Sequence, residues 1–112
     1  MQLVKYRFTD GAEVIGSLAA KLKEDGITDA SIVSVIGGVD KVTISNMAKE
    51  DARKDMLTEY NEPLELSGTG SVHEGKVHIH ATLGREGDQA LFGHLHSAFA
   101  TTWFVDVHVL TN

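Results

Sequence analysis

Apolar and polar side chains alternate most regularly in the segment 77–83, where Val, Ile, Ala and Leu occupy every second position. Successive side chains of a β-strand point to opposite faces of a sheet, so this alternation predicts a strand with one apolar face. The other face carries His78 and His80. A second alternating run places His94 and His96 on one face. The pattern therefore predicts two neighbouring strands that each present two imidazoles.

The polar segment between these two strands predicts a hairpin loop, because it is short, charged and rich in glycine. If the loop is symmetric about Gly87, His80 lies opposite His94 and His78 lies opposite His96. Four of the six histidines would then face one another across the two strands.

A second hairpin is predicted just before the histidine strand, at the dipeptide Glu74-Gly75. A two-residue loop there fixes the register, so that Ser71 pairs with His78 and Thr69 pairs with His80. The face beside the imidazoles is then lined by small hydroxyl side chains, those of Ser67, Thr69 and Ser71. Such a face leaves room for a small ligand or for water.

The rest of the chain predicts one helix and further strands. Apolar residues recur at helical spacing over residues about 12–25, with Asp10 and Glu13 as an N-cap pair and Gly26 as the stop. The charged segment Ala48–Asn61 has no periodicity and is predicted to be a long surface loop with at most one helical turn. Further strand-like segments lie at 3–8, 30–36, 39–47, 64–73 and 101–110.

The composition fits one globular domain over residues 1–112, since 42% of the residues are hydrophobic and 23% are charged. A formal net charge of −6 argues against sequence-independent binding to the phosphate backbone of a nucleic acid. Cysteine is absent, so a metal ion would have to use histidine and carboxylate ligands. The chain also lacks a signal-peptide pattern and the roughly 18 apolar residues of a membrane helix. We therefore expect a soluble, cytoplasmic protein with no membrane partner.

The histidine pattern has a direct interpretation as a metal site. Zinc and similar divalent ions bind neutral imidazole at about 2.0–2.1 Å, and ligand-binding or catalytic sites commonly use three protein ligands. A His-x-His pair with a third histidine on its hairpin partner supplies them, and His96 is the histidine that such a site needs least. The alternative is a solvated or intersubunit face on which the histidines titrate near their ordinary pKa of about 6.5.

The run from Val77 to Leu95 resembles the PPC (plants and prokaryotes conserved) domain, whose pattern is a His-x-His strand, a Gly-x-x-Gly hairpin and a Gly-Gly-His-Leu strand. The resemblance extends to the amphipathic helix, to Ser-Val-Ile-Gly-Gly-Val at 34–39, and to Pro-Leu-Glu-Leu-Ser-Gly-Thr-Gly from Pro63. It therefore covers nearly the whole chain. Phe92 stands where the family pattern has the first glycine of Gly-Gly-His-Leu.

The resemblance implies an α+β fold, with a curved antiparallel sheet of about six to seven strands around one main helix, assembled as a homotrimer. It also implies a divalent-metal site, with zinc the expected ion and His78, His80 and His94 as the ligands, while His96 is a neighbour. The chain further looks distantly like the zinc-dependent acetolactate decarboxylases, which use a similar His-x-His and a later histidine. Plant members of the family bind DNA through a separate AT-hook, of which this chain has none.

Three functional hypotheses follow from these observations. The first is a stand-alone prokaryotic PPC-type domain that binds a metal and a small molecule in a polar pocket, with a ligand-binding or regulatory role. The second is a small zinc-dependent lyase or hydrolase, for which Glu65 is the candidate acid or base and Arg85 the candidate anion contact. The third is a DNA-binding transcriptional regulator, which the net charge disfavours.

Overall fold

The computed structural model describes residues 1–112, the whole of the printed chain. The elements in chain order are β1 (Gln2–Phe8), β2 (Ala12–Glu13), α1 (Val14–Glu24), β3 (Ala30–Val39), β4 (Lys41–Ala48), β5 (Asp51–Tyr60), β6 (Leu64–His73), β7 (Lys76–Arg85), β8 (Gln89–Ala100) and β9 (Val105–Thr111). The α+β class is confirmed in broad terms, although the sheet has nine strands and not the six to seven expected. No helix here has the length and apolar character that crossing a membrane requires.

All the strands belong to one open, curved antiparallel sheet in the order β1-β9-β3-β6-β7-β8-β4-β5, with the short β2 paired to β8. The helix packs on one face of this sheet, mainly against β8 and β7. Its buried side chains, among them Leu18 and Leu22, meet inward-facing strand residues such as Ile79 and Leu83 in one cluster of 22 buried residues. The other face of β6 and β7 carries exposed side chains, so each of these strands has one apolar and one polar face, as the alternation predicts.

The prediction of a surface loop at Ala48–Asn61 is wrong, because Asp51–Tyr60 forms the edge strand β5. Its residues are exposed apart from the partly buried Tyr60, so the segment has no buried face and no apolar alternation. The position of β5 is set by its backbone hydrogen bonds to β4. Charged side chains are typical of edge strands, since they discourage pairing with other chains.

The helix begins at a different cap from the one expected. Asp10 lies in a turn with φ 59°, whereas Glu13 is the N-cap, and its carboxylate accepts the backbone N–H groups of Ile15 and Gly16. The same carboxylate accepts the N–H of Ala98 at 2.9 Å and so ties the helix to β8. Gly26 has φ 70° and ends the helix as predicted.

The register of the first histidine hairpin is confirmed, since Thr69 pairs with His80 and Ser71 with His78. The second hairpin pairs His80 with His94, also as predicted. The β7–β8 pairing ends at that pair, so the expected His78–His96 pair is not formed. Beyond this point β8 pairs with β4, and a bulge near Ile44 shifts its register.

The last strand is shorter than predicted at its start. Residues 101–104 precede the strand, which begins at Val105. Trp103 is 66% exposed and therefore does not share the buried face of Val105, Val107 and Val109.

Candidate metal centre

Strands β7 and β8 bring three imidazoles together on the face of the sheet opposite the helix. The ligand nitrogens of His78, His80 and His94 all lie within 4.8 Å of one another. His78 and His80 share a face because they are two residues apart on one strand, and His94 joins them because it pairs with His80. The backbone registers alone therefore account for the cluster.

The spacing of these nitrogens fits a small divalent ion. His78 Nε2 and His80 Nε2 are 3.0 Å apart, so one ring donates its N–H to the lone pair of the other. Ligands about 2.0–2.1 Å from a tetrahedral zinc are about 3.3 Å apart. This separation lies between the 3.0 Å of the His78–His80 pair and the 4.8 Å within which all three nitrogens lie. His78 and His80 are exposed, so their rings have room to adjust towards that spacing.

His94 is electrostatically suited to ligate a cation. Burial lowers its pKa below the ordinary value of 6.5, and the neighbouring His78, His96 and His80 lower it further, whereas the negative charge of Asp55 acts in the opposite direction. The imidazole is therefore neutral at pH 7 and keeps a lone pair for a metal, since the protonated ring cannot bind one.

The three imidazoles line a surface cavity of about 420 Å³, whose other walls are formed by residues of β4, β5 and β8. Asn46 Nδ2 donates to the carbonyl oxygen of Phe92 at 2.7 Å and so joins the β4 wall to the β8 wall. The Phe92 ring lies edge-on to His80, with 5.9 Å between the ring centroids. The residues that line the cavity are Ser45, Asn46, Met47, Asp55, His78, His80, Phe92 and His94.

The structure places His96 beside the cluster and outside it. Its Nε2 lies 2.8 Å from the hydroxyl of the buried Ser45, and its ring centroid is 4.7 Å from that of His94. This nitrogen is engaged by Ser45 and is not one of the three grouped ligand nitrogens. His96 therefore lies next to His94, and its role as a neighbour of the site stays a prediction.

The predicted hydroxyl residues lie on the strand next to the histidines. Thr69 and Ser71 are directly opposite His80 and His78, while Ser67 pairs with Thr82 one step further along. All three hydroxyl residues are exposed, and none lines the histidine cavity. The cavity opens on the other side of the histidines, towards β4 and β5.

Glu65 and Arg85 are not brought to the histidines. Glu65 pairs with Gly84, four residues beyond His80, which corresponds to about 13 Å along the strand. Arg85 forms a bidentate ion pair with Glu62, with N–O distances of 2.8 and 2.7 Å. Its guanidinium is therefore already paired with a carboxylate. Glu65 and Arg85 line a separate cavity of about 620 Å³.

Sequence reasoning missed the wall formed by β4 and β5. Ser45 could be recognised as a strand residue, but only the β4–β8 register places it opposite His94. Asp55 lies in the segment interpreted as a loop, and nothing in the local pattern connects it with the histidines. These contacts join residues that are distant in sequence, so no local sequence pattern predicts them.

Fold and site together define a class of small α+β domain, in which one helix covers one face of an open antiparallel sheet and three histidines cluster on the other. Residues 1–111 match the model of the Plants and Prokaryotes Conserved (PCC) domain. The chain belongs to this family, which is also abbreviated PPC.

Solved structures with the same fold include the metal-containing protein of Archaeoglobus fulgidus, with 31% identity and a TM-score of 0.84 over 100% of this chain and 81% of that one. A proposed DNA-binding protein from Bacteroides thetaiotaomicron has 27% identity and a TM-score of 0.82, covering 96% and 77% of the two chains. The Pyrococcus horikoshii plant- and prokaryote-conserved (PPC) protein, at 22% identity, matches in fold with a TM-score of 0.75 over 100% and 80%. No curated protein matches the sequence.

Proposed function

We propose that this PPC domain binds one divalent metal ion through His78, His80 and His94, and that the metal site serves a ligand-binding or regulatory role. The observation that carries the proposal is the approach of the three ligand nitrogens to within 4.8 Å of one another. A related protein at 31% identity, the metal-containing protein of Archaeoglobus fulgidus, supports it.

Zinc is the ion that we propose. Three neutral imidazoles suit zinc, copper, nickel and cobalt, whereas magnesium and calcium prefer oxygen ligands. A bound ion of this kind supplies a Lewis acid at the base of the cavity. The protein contributes three imidazole nitrogens, the aromatic edge of Phe92 and a cavity of about 420 Å³ that admits a small polar molecule.

Self-association is part of the proposal, with a homotrimer as the assembly. Large apolar side chains are exposed on the histidine-bearing face, where Met47 and Phe92 line the cavity with 68% and 55% exposure. A second copy that covered them would remove apolar surface from water and stabilise the assembly. Sedimentation equilibrium should give three times the mass of the chain, and a monomer at micromolar concentration would contradict this part.

Metal analysis of the purified protein tests the site directly. We expect about one equivalent of zinc per chain in a site with three protein ligands. The double variant His78→Ala, His80→Ala should lose the metal, while His73→Ala, a histidine at the hairpin turn that pairs with Asp29, should keep it. Stoichiometric metal in the double variant would overturn the assignment.

DNA binding is a second candidate, supported by the proposed DNA-binding protein at 27% identity. The net charge of −6 opposes it, because affinity for a phosphate backbone comes largely from lysine and arginine. Binding to duplex DNA that weakens steeply as salt is raised would favour this candidate. An absence of binding at about 50 mM salt, where such contacts are strong, would exclude it.

A metal-dependent lyase or hydrolase is the remaining alternative. The cavity around the histidines contains neither Glu65 nor Arg85, so an enzyme would need a different acid or base. Zinc-dependent turnover of 2-keto or 2-hydroxy acids that a chelator abolishes would support this alternative.

A further inference from the structure

The edge strand β5 contributes one carboxylate to the histidine cavity, that of Asp55, and no other acidic residue lines the cavity. Asp55 takes part in none of the ion pairs of the chain. It lies outside the group of three ligand nitrogens but within electrostatic reach of His94. The carboxylate of Asp55 therefore lines the cavity with no lysine, arginine or histidine nitrogen within ion-pair distance.

The strand registers explain why Asp55 faces the histidines. Ser45 pairs with His94 across β4 and β8, and Met47 pairs with Asp55 across β4 and β5. Residues that pair directly, and residues two apart on a strand, share one face of a sheet. Ser45 and Met47 thus link Asp55 to the face of His94, although β8 is far from β4 and β5 in sequence.

We propose that Asp55 partly compensates the charge of the metal centre. Its carboxylate raises the affinity of the histidine cluster for a divalent ion without ligating that ion. Three neutral imidazoles leave the full double charge of the ion uncompensated, and a carboxylate across the cavity offsets part of that charge. The same carboxylate repels small anions, so the cavity favours neutral, hydroxyl-bearing or amine-bearing ligands over carboxylates. This inference rests on the proposed metal site.

The experiment compares Asp55→Asn with a matched control, Asp51→Asn. Both changes remove one negative charge from β5 with little change in volume, but Asp51 pairs with Ala48 at the start of the strand and does not line the cavity. Zinc and cobalt affinities are measured by competition with a chromophoric chelator at low ionic strength. Azide affinity is then measured on the cobalt-loaded proteins from their visible absorption.

Asp55→Asn should weaken cation binding by about 5- to 10-fold at low salt, as expected for a charge acting across a partly solvated gap. The effect should shrink at about 0.5 M salt, where exposed charges are screened. Azide should bind more tightly to the cobalt-loaded Asp55→Asn variant than to the wild type. Asp51→Asn should leave both affinities within about 2-fold, since exposed charges at a distance contribute little.

Equal cation and azide affinities in the two variants would overturn the role of Asp55 while the metal site stands. If the wild type binds no stoichiometric metal, the proposed function and this inference both fail. Far-ultraviolet circular dichroism of each variant verifies that the sheet is intact. Both residues are exposed on an edge strand, so neither change removes a buried contact.

Discussion

Gly70→Ala should damage the histidine site from the neighbouring strand without touching a histidine side chain. Gly70 lies on β6 and pairs with Ile79 on the histidine strand. A Cβ atom at this position would lie 2.0 Å from the carbonyl oxygen of His78 and 3.0 Å from Ile79 Cα, whereas ordinary contacts begin at 3.4 Å. Both opposing atoms belong to the backbone of β7, so no side-chain rotation relieves the clash.

The magnitude follows from the displacement that is required. In a densely packed sheet, β6 and β7 would have to separate by about 1 Å to accept the methyl group. Overpacking of this kind costs about 1–3 kcal/mol, and a backbone obstacle puts the cost at the upper end. Alanine regains about 0.5–1 kcal/mol because it loses less chain entropy than glycine. We therefore expect a net loss of about 2 kcal/mol in the free energy of unfolding, or roughly 10 °C in Tm.

The assay is urea and thermal unfolding of the metal-free protein, followed by zinc affinity of the folded variant. Metal sites tolerate changes of only about 0.2 Å in ligand distance, so a 1 Å shift of His78 should also weaken zinc binding. Gly84→Ala is the matched control on the same hairpin, because its Cβ would meet only the Cβ of Glu65, at an ordinary 3.6 Å. This control should be neutral or slightly stabilising.

Equal stability of the Gly70→Ala and Gly84→Ala proteins, within about 0.5 kcal/mol, would refute the reasoning, since that is the range of ordinary surface changes. Equal stability would mean that β6 and β7 can move apart to accept the methyl group without a cost in free energy. Loss of stability with unchanged zinc affinity would show that the strands separate elsewhere than at His78.

Two further predictions concern stability away from the metal site. Glu13→Ala should lower the free energy of unfolding by about 1–2 kcal/mol in urea denaturation, because it removes the acceptor for two helix N–H groups and for Ala98; an unchanged midpoint would argue against Glu13 as the cap. Asp106 accepts two hydrogen bonds from Arg7, which hold the pKa of that carboxyl below its ordinary value of 3.8. Its stabilising contribution is therefore present above that ordinary value and is lost as pH falls through the lower pKa of the folded state. Urea denaturation between pH 7 and pH 2.5 should show this loss in the wild type and a smaller one in Asp106→Asn.

Much of the histidine hairpin could be predicted from local sequence. The two-residue turn at Glu74-Gly75 determines which residues of β6 and β7 are paired, and the alternation assigns each side chain to a face. The pairing of His80 with His94 follows from the symmetric loop in the same way. Short loops fix the register of the strands they join, because few other pairings of those strands are compatible with the loop length.

Segments without a buried face were the least predictable. β5 buries almost nothing and shows no apolar period, so its strand conformation depends on hydrogen bonds to β4 and not on side-chain pattern. Local spacing predicts Asp10 and Glu13 as a cap pair for α1, whereas Glu13 caps the helix without Asp10 and gains a third hydrogen bond from Ala98 that only the packed sheet provides. Tertiary contacts overrode the local preference in both places.

The sequence by itself determined one helix, two strand registers and the placing of histidines on one face of β7 and β8, since each depends on residues close together in the chain, whereas the α+β class and the choice of three ligands came from the resemblance to the PPC domain. Only the tertiary structure decided which side of the histidines opens into a cavity, which carboxylate faces it and where Glu65 and Arg85 lie. The physical reason is that β8 pairs with both β7 and β4, while a bulge shifts the second pairing. The β4 wall of the site is therefore set by backbone pairing with β8, a segment distant in the chain, as at Ser45 and His94.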